Sequence, residues 1–353
     1  MTIPTEPIGS IPRPLPLIEA LKSTDGADPK LETLYAEAIR DTVHRFEATG
    51  SPVIADGEQR KFHNFWTYSV HGLRNTAPDG FKIPFAAGHT RRMPRLTSGP
   101  FRYARYADQF LEEAQRHARV PVKQAVISPS ALSLMYPAEG IPGYARSDFI
   151  DDLLFEHETE VRRCLEKGAH KVQIDFTEGR LAVKLDPSGT LLNSFIHLNN
   201  MVLSRFTAEE RKRIGVHTCP GGDCDSTHSA DVDYAELLPS LFELQVGNFY
   251  IALAGEEDRV RVLKIIRRYL KPEQMIFIGV VAPIDPRIEM PEDVRDRTLE
   301  AAKYIPVSQL GTTDDCGFSP FCDDTSTTRD TAFAKIRARV LGTALAAKAI
   351  GGG

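Results

Sequence analysis

Short β-branched or apolar runs alternate with longer amphipathic runs along almost the entire chain, and this constrains the fold more than any other feature. The strand-like runs fall at 7–9, 52–56, 122–127, 171–176, 213–219, 248–254, 275–281 and 308–312. The helical patterns fall at 28–49, 106–118, 148–167, 191–203, 233–244, 258–269, 291–302 and 328–347. Each strand is followed by a helix. Parallel neighbours need a crossover connection, so strict alternation predicts a parallel sheet. Eight such units predict an α/β fold, a (β/α)8 TIM barrel, spanning residues 1–353 as a single domain. An open doubly wound sheet is the alternative.

One stretch breaks the pattern. Residues 61–101, after the second strand, carry Trp66, Tyr68, His71, His89 and the triplet Arg91-Arg92-Met93. A connection of this length is usually functional or disordered. Its aromatic and basic content predicts a lid or hairpin insertion at the barrel mouth, with a purely structural cap as the other reading.

Composition excludes several function classes. At 42% hydrophobic residues the chain has the material for a packed core. No apolar run is long enough to span a bilayer, and the first residues lack the basic and apolar regions of a secretory signal, so a cytoplasmic protein is expected. A net charge of −5 without a concentrated basic face argues against nucleic acid. No basic amphipathic segment points to a membrane. The five cysteines are an odd number, which favours free thiols or metal ligands over a disulfide framework. Oligomeric state leaves no mark in the sequence.

Chemistry-bearing residues gather at strand ends. His217-Thr218-Cys219 closes the fifth strand, and residues two apart in a strand project to the same side. Cys316 follows the last strand. In a barrel both positions fall at the C-terminal mouth, where active sites are built. One imidazole and two thiolates form a soft donor set suited to Zn²⁺, and three protein ligands with one open position is the catalytic pattern. Around the same rim lie Gly9-Ser10, Asp56-Gly57-Glu58, Ser128-Pro129-Ser130, Asp175 and Glu178. For each of these the plain alternative is a helix N-cap or a loop anchor. His228, Cys224 and Cys322 are lesser ligand candidates, and Cys164 reads as core. No phosphate-binding loop and no Gly-x-Ser-x-Gly elbow is present.

These segments resemble the cobalamin-independent methionine synthase family, in particular its C-terminal catalytic barrel. The similar segments are Ile8-Gly9-Ser10-Ile11-Pro12-Arg13-Pro14, Asp56-Gly57-Glu58, Val172-Gln173-Ile174-Asp175, His217-Thr218-Cys219 and Asp315-Cys316-Gly317, in the family's order over nearly the whole chain. The resemblance implies a zinc-bound thiolate that attacks an activated alkyl donor. It implies His217, Cys219 and Cys316 as metal ligands, and Ser10, Glu58 and Asp175, with Ser128 nearby, as the substrate-binding group for an amino-acid thiol such as homocysteine. The partners it implies are small molecules, a thiol and an alkyl donor.

The sequence departs from the family in three places. The family's glutamate ligand ends the sixth strand, where this chain has Ala252 and Leu253; Glu243, Glu256 and Glu257 are the nearby candidates for a fourth ligand. The family's catalytic histidine after the seventh strand is absent, which leaves Asp285 as the proton carrier there. The two-barrel methionine synthases use an N-terminal barrel to help bind folate, whereas this sequence reads as one barrel with a distinctive 61–101 connection. The expected activity is therefore zinc-dependent thiol methyl or alkyl transfer. Another electrophile such as an epoxide is one alternative. A metal-free lyase like uroporphyrinogen decarboxylase, with Arg91 and Arg92 gripping acidic substrate groups, is a second. A non-catalytic zinc or thiol-binding protein is a third.

Overall fold

A computed structural model describes residues 2–24, 28–61 and 64–351. Among them, seven parallel strands form one sheet in the order β1 (Ile54–Ala55), β6 (Val122–Ile127), β7 (Val172–Asp175), β8 (Ile214–Thr218), β11 (Asn248–Ile251), β12 (Met275–Val281), β13 (Leu310–Asp314). The eighth place is filled by the N-terminal segment. Thr5 forms a parallel bridge with Thr312 on one side, and Ile11 N–H donates to the Gly57 carbonyl on the other. The ring is thus closed, and the TIM-barrel reading holds. Sheet pairing of the first segment centres on Thr5 rather than on 7–9, and the last strand starts two residues later than expected because Val307–Gln309 forms a 3-10 turn first.

The strands read as continuous apolar runs because a parallel barrel buries both faces. Every residue of β6, β7, β8 and β11 is buried. Outward side chains such as Val126, Ile174 and Val216 pack under a ring of helices, and each fully buried aliphatic side chain contributes about 1.5–3 kcal/mol. Inward positions are polar. Lys123, Gln173 and His217 are all buried inside the barrel.

Most helices lie where the apolar spacing places them. Arg146–Glu166 and Thr190–Leu203 begin within two residues of the expected starts. Among the described residues, four helices were not expected: Leu15–Thr24, the short helix Pro129–Ser133 after β6, Glu178–Leu185 directly after β7, and the single turn Ala208–Arg211 before β8.

The insertion is a nested pair of ribbons. β2 (Thr76–Ala77) pairs with β5 (Arg95–Leu96), and β3 (Lys82–Pro84) pairs with β4 (Thr90–Arg92), both antiparallel. The inner hairpin crosses the barrel mouth and seats on the loop that carries β9 (Gly222–Asp223) and β10 (Ser226–Thr227). There Ala86 N–H donates to the Thr227 carbonyl at 2.9 Å, and Ala87 N–H to Ser226 Oγ at 3.0 Å. Arg91 fastens it. Its guanidinium forks onto Asp223 at 2.6 and 2.9 Å and onto Asp323 at 2.8 and 3.0 Å, and it stacks on Phe321. His89 adds a contact to Asp223 at 2.8 Å. Among the described residues, no helix is long and apolar enough to cross a membrane.

Candidate active site

Strand register builds the site. Asp175 and His217 are direct partners on β7 and β8, so an acid and an imidazole stand side by side on the inner wall. Cys219 lies one residue past the end of β8, and Cys316 two past the end of β13. A ring nitrogen of His217 and the sulfurs of Cys219 and Cys316 lie within 4.8 Å of one another, with the two sulfurs 3.1 Å apart. His217 Nδ1 contacts the Tyr250 carbonyl at 3.3 Å, while its Nε2 is buried with no partner. A buried imidazole nitrogen left unpaired is costly unless a ligand completes it. Proximity splits the two thiols: the hydrogen bond between them holds Cys316 below its usual range and raises Cys219. The donor set and the orphaned nitrogen together fit a metal ion.

The loops that carry the cysteines are held tightly. Gly317 has no side chain because a Cβ there would lie 2.0 Å from Ser10 Oγ. Ser10 Oγ accepts from Ser319 N–H at 3.2 Å, and the Ser10 carbonyl accepts from Phe318 N–H at 2.9 Å. Ser10 therefore sits directly under the Cys316 loop. Asp315 accepts from the amides of Leu253, Ala254 and Gly255 at 2.7, 2.8 and 2.8 Å, and burial pushes its carboxyl up to about 6.

Glu58 occupies a strained position. It has φ +58°, directly after Gly57 at φ +70°, and a left-handed non-glycine residue is uncommon. Its amide donates to Asp56 Oδ1 at 3.1 Å. Its buried carboxyl has Lys61 Nζ at 3.7 Å, and Oε2 has no partner. Burial, with Asp175 and Asp56 adding to it against Lys61, pushes Glu58 up to about 7. Burial raises Asp175 as well, although Gln173 donates to its Oδ1 at 2.8 Å.

Glu58, Asp175, His217 and Cys316 line a narrow cavity under the hairpin, of about 30 Å³. Its roof is aromatic, made by Trp66, Phe85 and Phe321. The buried indole N–H of Trp66 has no partner. A second cavity, of about 620 Å³, opens on the other side of Cys316 and is lined by Glu256, Glu257, Asp258 and Asp285 among others. Cys316 and Gly222 border both.

The remaining expected residues fall elsewhere. Ser128 lines neither cavity. It is the N-cap of Pro129–Ser133, accepting from Ala131 N–H, and its hydroxyl donates to Glu178 at 2.5 Å. The plain alternative thus describes it. Glu243 is a correction: it is exposed in the turn after helix Tyr234–Leu241 and precedes β11, at the opposite end of the barrel from the cysteines. Glu256 lines the larger cavity but is ion-paired with Arg180 at 2.6 Å, and Glu257 is exposed. Neither belongs to either of the two groups among the described residues that could hold a metal ion, His217, Cys219 and Cys316 at the mouth and His89, Asp223 and Cys224 under the hairpin. Asp285 sits on the rim of the larger cavity and accepts from Arg287 N–H at 2.9 Å. Cys164 is core, as expected, and Cys224 is exposed. Arg91 makes four hydrogen bonds to Asp223 and Asp323, which commits its guanidinium to holding the hairpin. Sequence reasoning missed Lys61 and Phe321, and gave Trp66 no role. Lys61 reaches the site locally, three residues past Glu58, whereas Trp66 and Phe321 meet over it only through their edge-to-face contact at 5.5 Å.

No family model matches the chain. An uncharacterized Bacillus subtilis protein, YxjH, is 24% identical, with 94% of this chain and 91% of that protein covered. The methionine synthase of Sulfurisphaera tokodaii is 21% identical, with 89% and 86% covered. Among solved structures, a B12-independent methionine synthase from Shewanella sp. W3-18-1 in complex with selenomethionine superposes with a TM-score of 0.79 at 17% identity, covering both chains fully. A putative vitamin-B12 independent methionine synthase from Listeria monocytogenes gives 0.70 at 21% identity, with 98% and 99% covered.

Proposed function

We propose, from the premise that this chain is a relative of the cobalamin-independent methionine synthases, that it is a zinc-dependent enzyme that methylates or alkylates homocysteine or a related amino-acid thiol. The observation that carries this reading is the convergence of His217, Cys219 and Cys316 beside two buried carboxylates under an aromatic roof. Zinc bound there supplies a thiolate at neutral pH from a thiol that is otherwise mostly protonated.

The chain's own residues bind and orient. Glu58 and Asp175 are two buried acids that repel one another, and an incoming ammonium group relieves that repulsion. Trp66 offers its free indole N–H in the same cavity, where it would meet the substrate carboxylate. Phe85, Trp66 and Phe321 exclude water from the sulfur. The cavity holds only on the order of two waters as it stands, so the hairpin roof acts as a lid that opens for the thiol.

The donor occupies the larger cavity, with Asp285 the side chain that passes a proton to its leaving group. The wall there is acidic, and its arginines are already used: Arg180 pairs with Glu256, and Arg261 with Asp233. A polyanionic donor such as a polyglutamylated folate is therefore opposed. The lyase reading is not favoured: Arg91 is held by Asp223 and Asp323, and Arg92 is exposed and lines no part of the narrow cavity.

Zinc quantification with X-ray absorption at the zinc edge tests the reading. We expect ~1 zinc per chain and a new sulfur in its shell when homocysteine is added. Cys219→Ser abolishes both. Absence of bound metal, or a shell unchanged by any amino-acid thiol, overturns it.

A further inference from the structure

The lysine beside Glu58 is itself unsatisfied. Lys61 has a fully buried side chain, and its Nζ has no hydrogen-bond partner. Nζ lies 3.7 Å from Glu58 Oε1 and 4.9 Å from the centre of the Tyr68 ring. Lys61 lines neither the narrow cavity nor the larger one, so it meets Glu58 from outside the thiol site. The carboxyl groups that face it are Glu58 and Asp56 on its own loop, Asp175 on β7 and Glu160 on helix Arg146–Glu166. Burial works against its charge, but Glu58, Asp175, Asp56 and Glu160 outweigh it, so Lys61 is raised and stays an ammonium.

A second cation fixes the loop that carries both residues. Buried Arg13 donates from Nη2 to the Glu58 carbonyl at 2.8 Å and to the Lys61 carbonyl at 2.7 Å. Its Nε donates to the Gln59 carbonyl at 3.3 Å. The Lys61 amide donates to the Glu58 carbonyl at 3.1 Å, which closes one turn and returns the lysine side chain to the carboxylate of the same loop. On the far side the Tyr68 ring packs against Nζ, and the Tyr68 hydroxyl is tied to Glu160 at 2.8 Å. Different cations thus hold the two parts of Glu58: Arg13 its left-handed backbone, Lys61 its carboxylate.

We propose that Lys61 is the positioning residue of the ammonium site, acting through Glu58 and not on the substrate, an assignment that rests on the amino-acid-thiol reading above. A buried carboxyl beside two others keeps its charge only when a cation accompanies it. Lys61 supplies that cation. A lysine in hydrogen-bond contact would occupy the carboxylate, whereas one at 3.7 Å neutralises it and leaves Oε2 without a partner, ready for the substrate's ammonium. Without Lys61, Glu58 becomes a neutral acid that no longer pairs with an ammonium. Repulsion between Lys61 and the incoming ammonium is the smaller effect, because Lys61 lines no part of the cavity.

Calorimetry of thiol binding to the zinc-loaded protein tests the assignment. The two probes are homocysteine and mercaptobutanoate, the same thiol without its ammonium group. Lys61→Met should weaken homocysteine binding roughly tenfold, the size of one interaction with a charged group. Mercaptobutanoate binding and zinc content should not change, whereas a merely structural role weakens both thiols alike. Glu58→Gln/Lys61→Met loses both charges together and should bind homocysteine as Glu58→Gln alone does, because residues that act through one another are not additive. That comparison decides the matter even where Lys61→Met alone does not fold. Equal losses for both thiols, tighter homocysteine binding, or a further loss in the double variant overturns the role of Lys61. If instead the wild type binds homocysteine no better than mercaptobutanoate, the amino-acid-thiol reading itself fails.

Discussion

Two glutamates inside the same barrel, Glu6 at its floor and Glu58 at its mouth, are about equally buried and are treated in opposite ways. Glu6 accepts from Lys171 at 2.7 Å and Tyr250 at 2.6 Å, with His170 at 3.4 Å and Lys123 at 3.8 Å. Burial alone would raise its pKa, but His170, Lys123 and Lys171 hold it well below the usual range. Glu58 has one lysine at 3.7 Å, an unpartnered oxygen and a left-handed backbone, and it is pushed up to about 7. A completed network stabilises a fold, whereas an incomplete one costs stability until something binds. The floor is a completed network that holds the barrel together, and the mouth leaves an incomplete one, which the ammonium group of the proposed substrate would complete.

Three experiments sharpen or break this contrast. The largest effect is expected at the floor. Glu6→Gln leaves buried lysines without their counter-charge and lowers unfolding stability by about 3–5 kcal/mol in chemical denaturation. Because Glu6 is depressed in the folded state, its contribution is present above about pH 4.5 and is lost as pH falls. A loss under 1 kcal/mol at neutral pH would erase the distinction.

At the mouth the sign reverses. Glu58 is raised, so its favourable contribution is full below about pH 4.5 and disappears as pH climbs through about 7. Glu58→Gln should therefore gain stability over the wild type by roughly 1–3 kcal/mol at pH 8, and almost nothing at pH 4. The same variant should raise KM for the thiol. A destabilised Glu58→Gln protein at pH 8 would show that this carboxylate is structural after all.

The smallest effect is expected at the roof. Arg91→Ala frees the hairpin from Asp223 and Asp323 and costs about 1–2 kcal/mol. Limited proteolysis should then cut the 85–89 tip faster, and KM for the thiol should rise more than kcat falls. An unchanged cleavage rate would mean that the backbone contacts of Ala86 and Ala87 hold the tip without the arginine.

The barrel was legible because its evidence is local. Apolar runs and amphipathic periods repeat eight times, and each can be read within a dozen residues. His217 and Cys219 were legible for the same reason, since strand alternation fixes their shared side. Cys316 needed only the barrel to reach them. Other parts depend on contacts distant in sequence. Thr5 takes the pairing role because Thr312 meets it across more than 300 residues. Ser128 looked like a substrate ligand, but the unexpected helix Pro129–Ser133 claims it as a cap. Glu243 had a suitable spacing and the wrong end of the strand.

The hairpin's inner ribbon belongs to no barrel strand and meets the mouth only through loops. Its residues 82–92 can therefore drift without disturbing the eightfold core or the sulfur pair. In proteins that share this scaffold and this His-Cys-Cys trio, that one detachable flap is a place where the cavity roof can change while the trio stays fixed, so under the proposed function selectivity can evolve separately from reactivity.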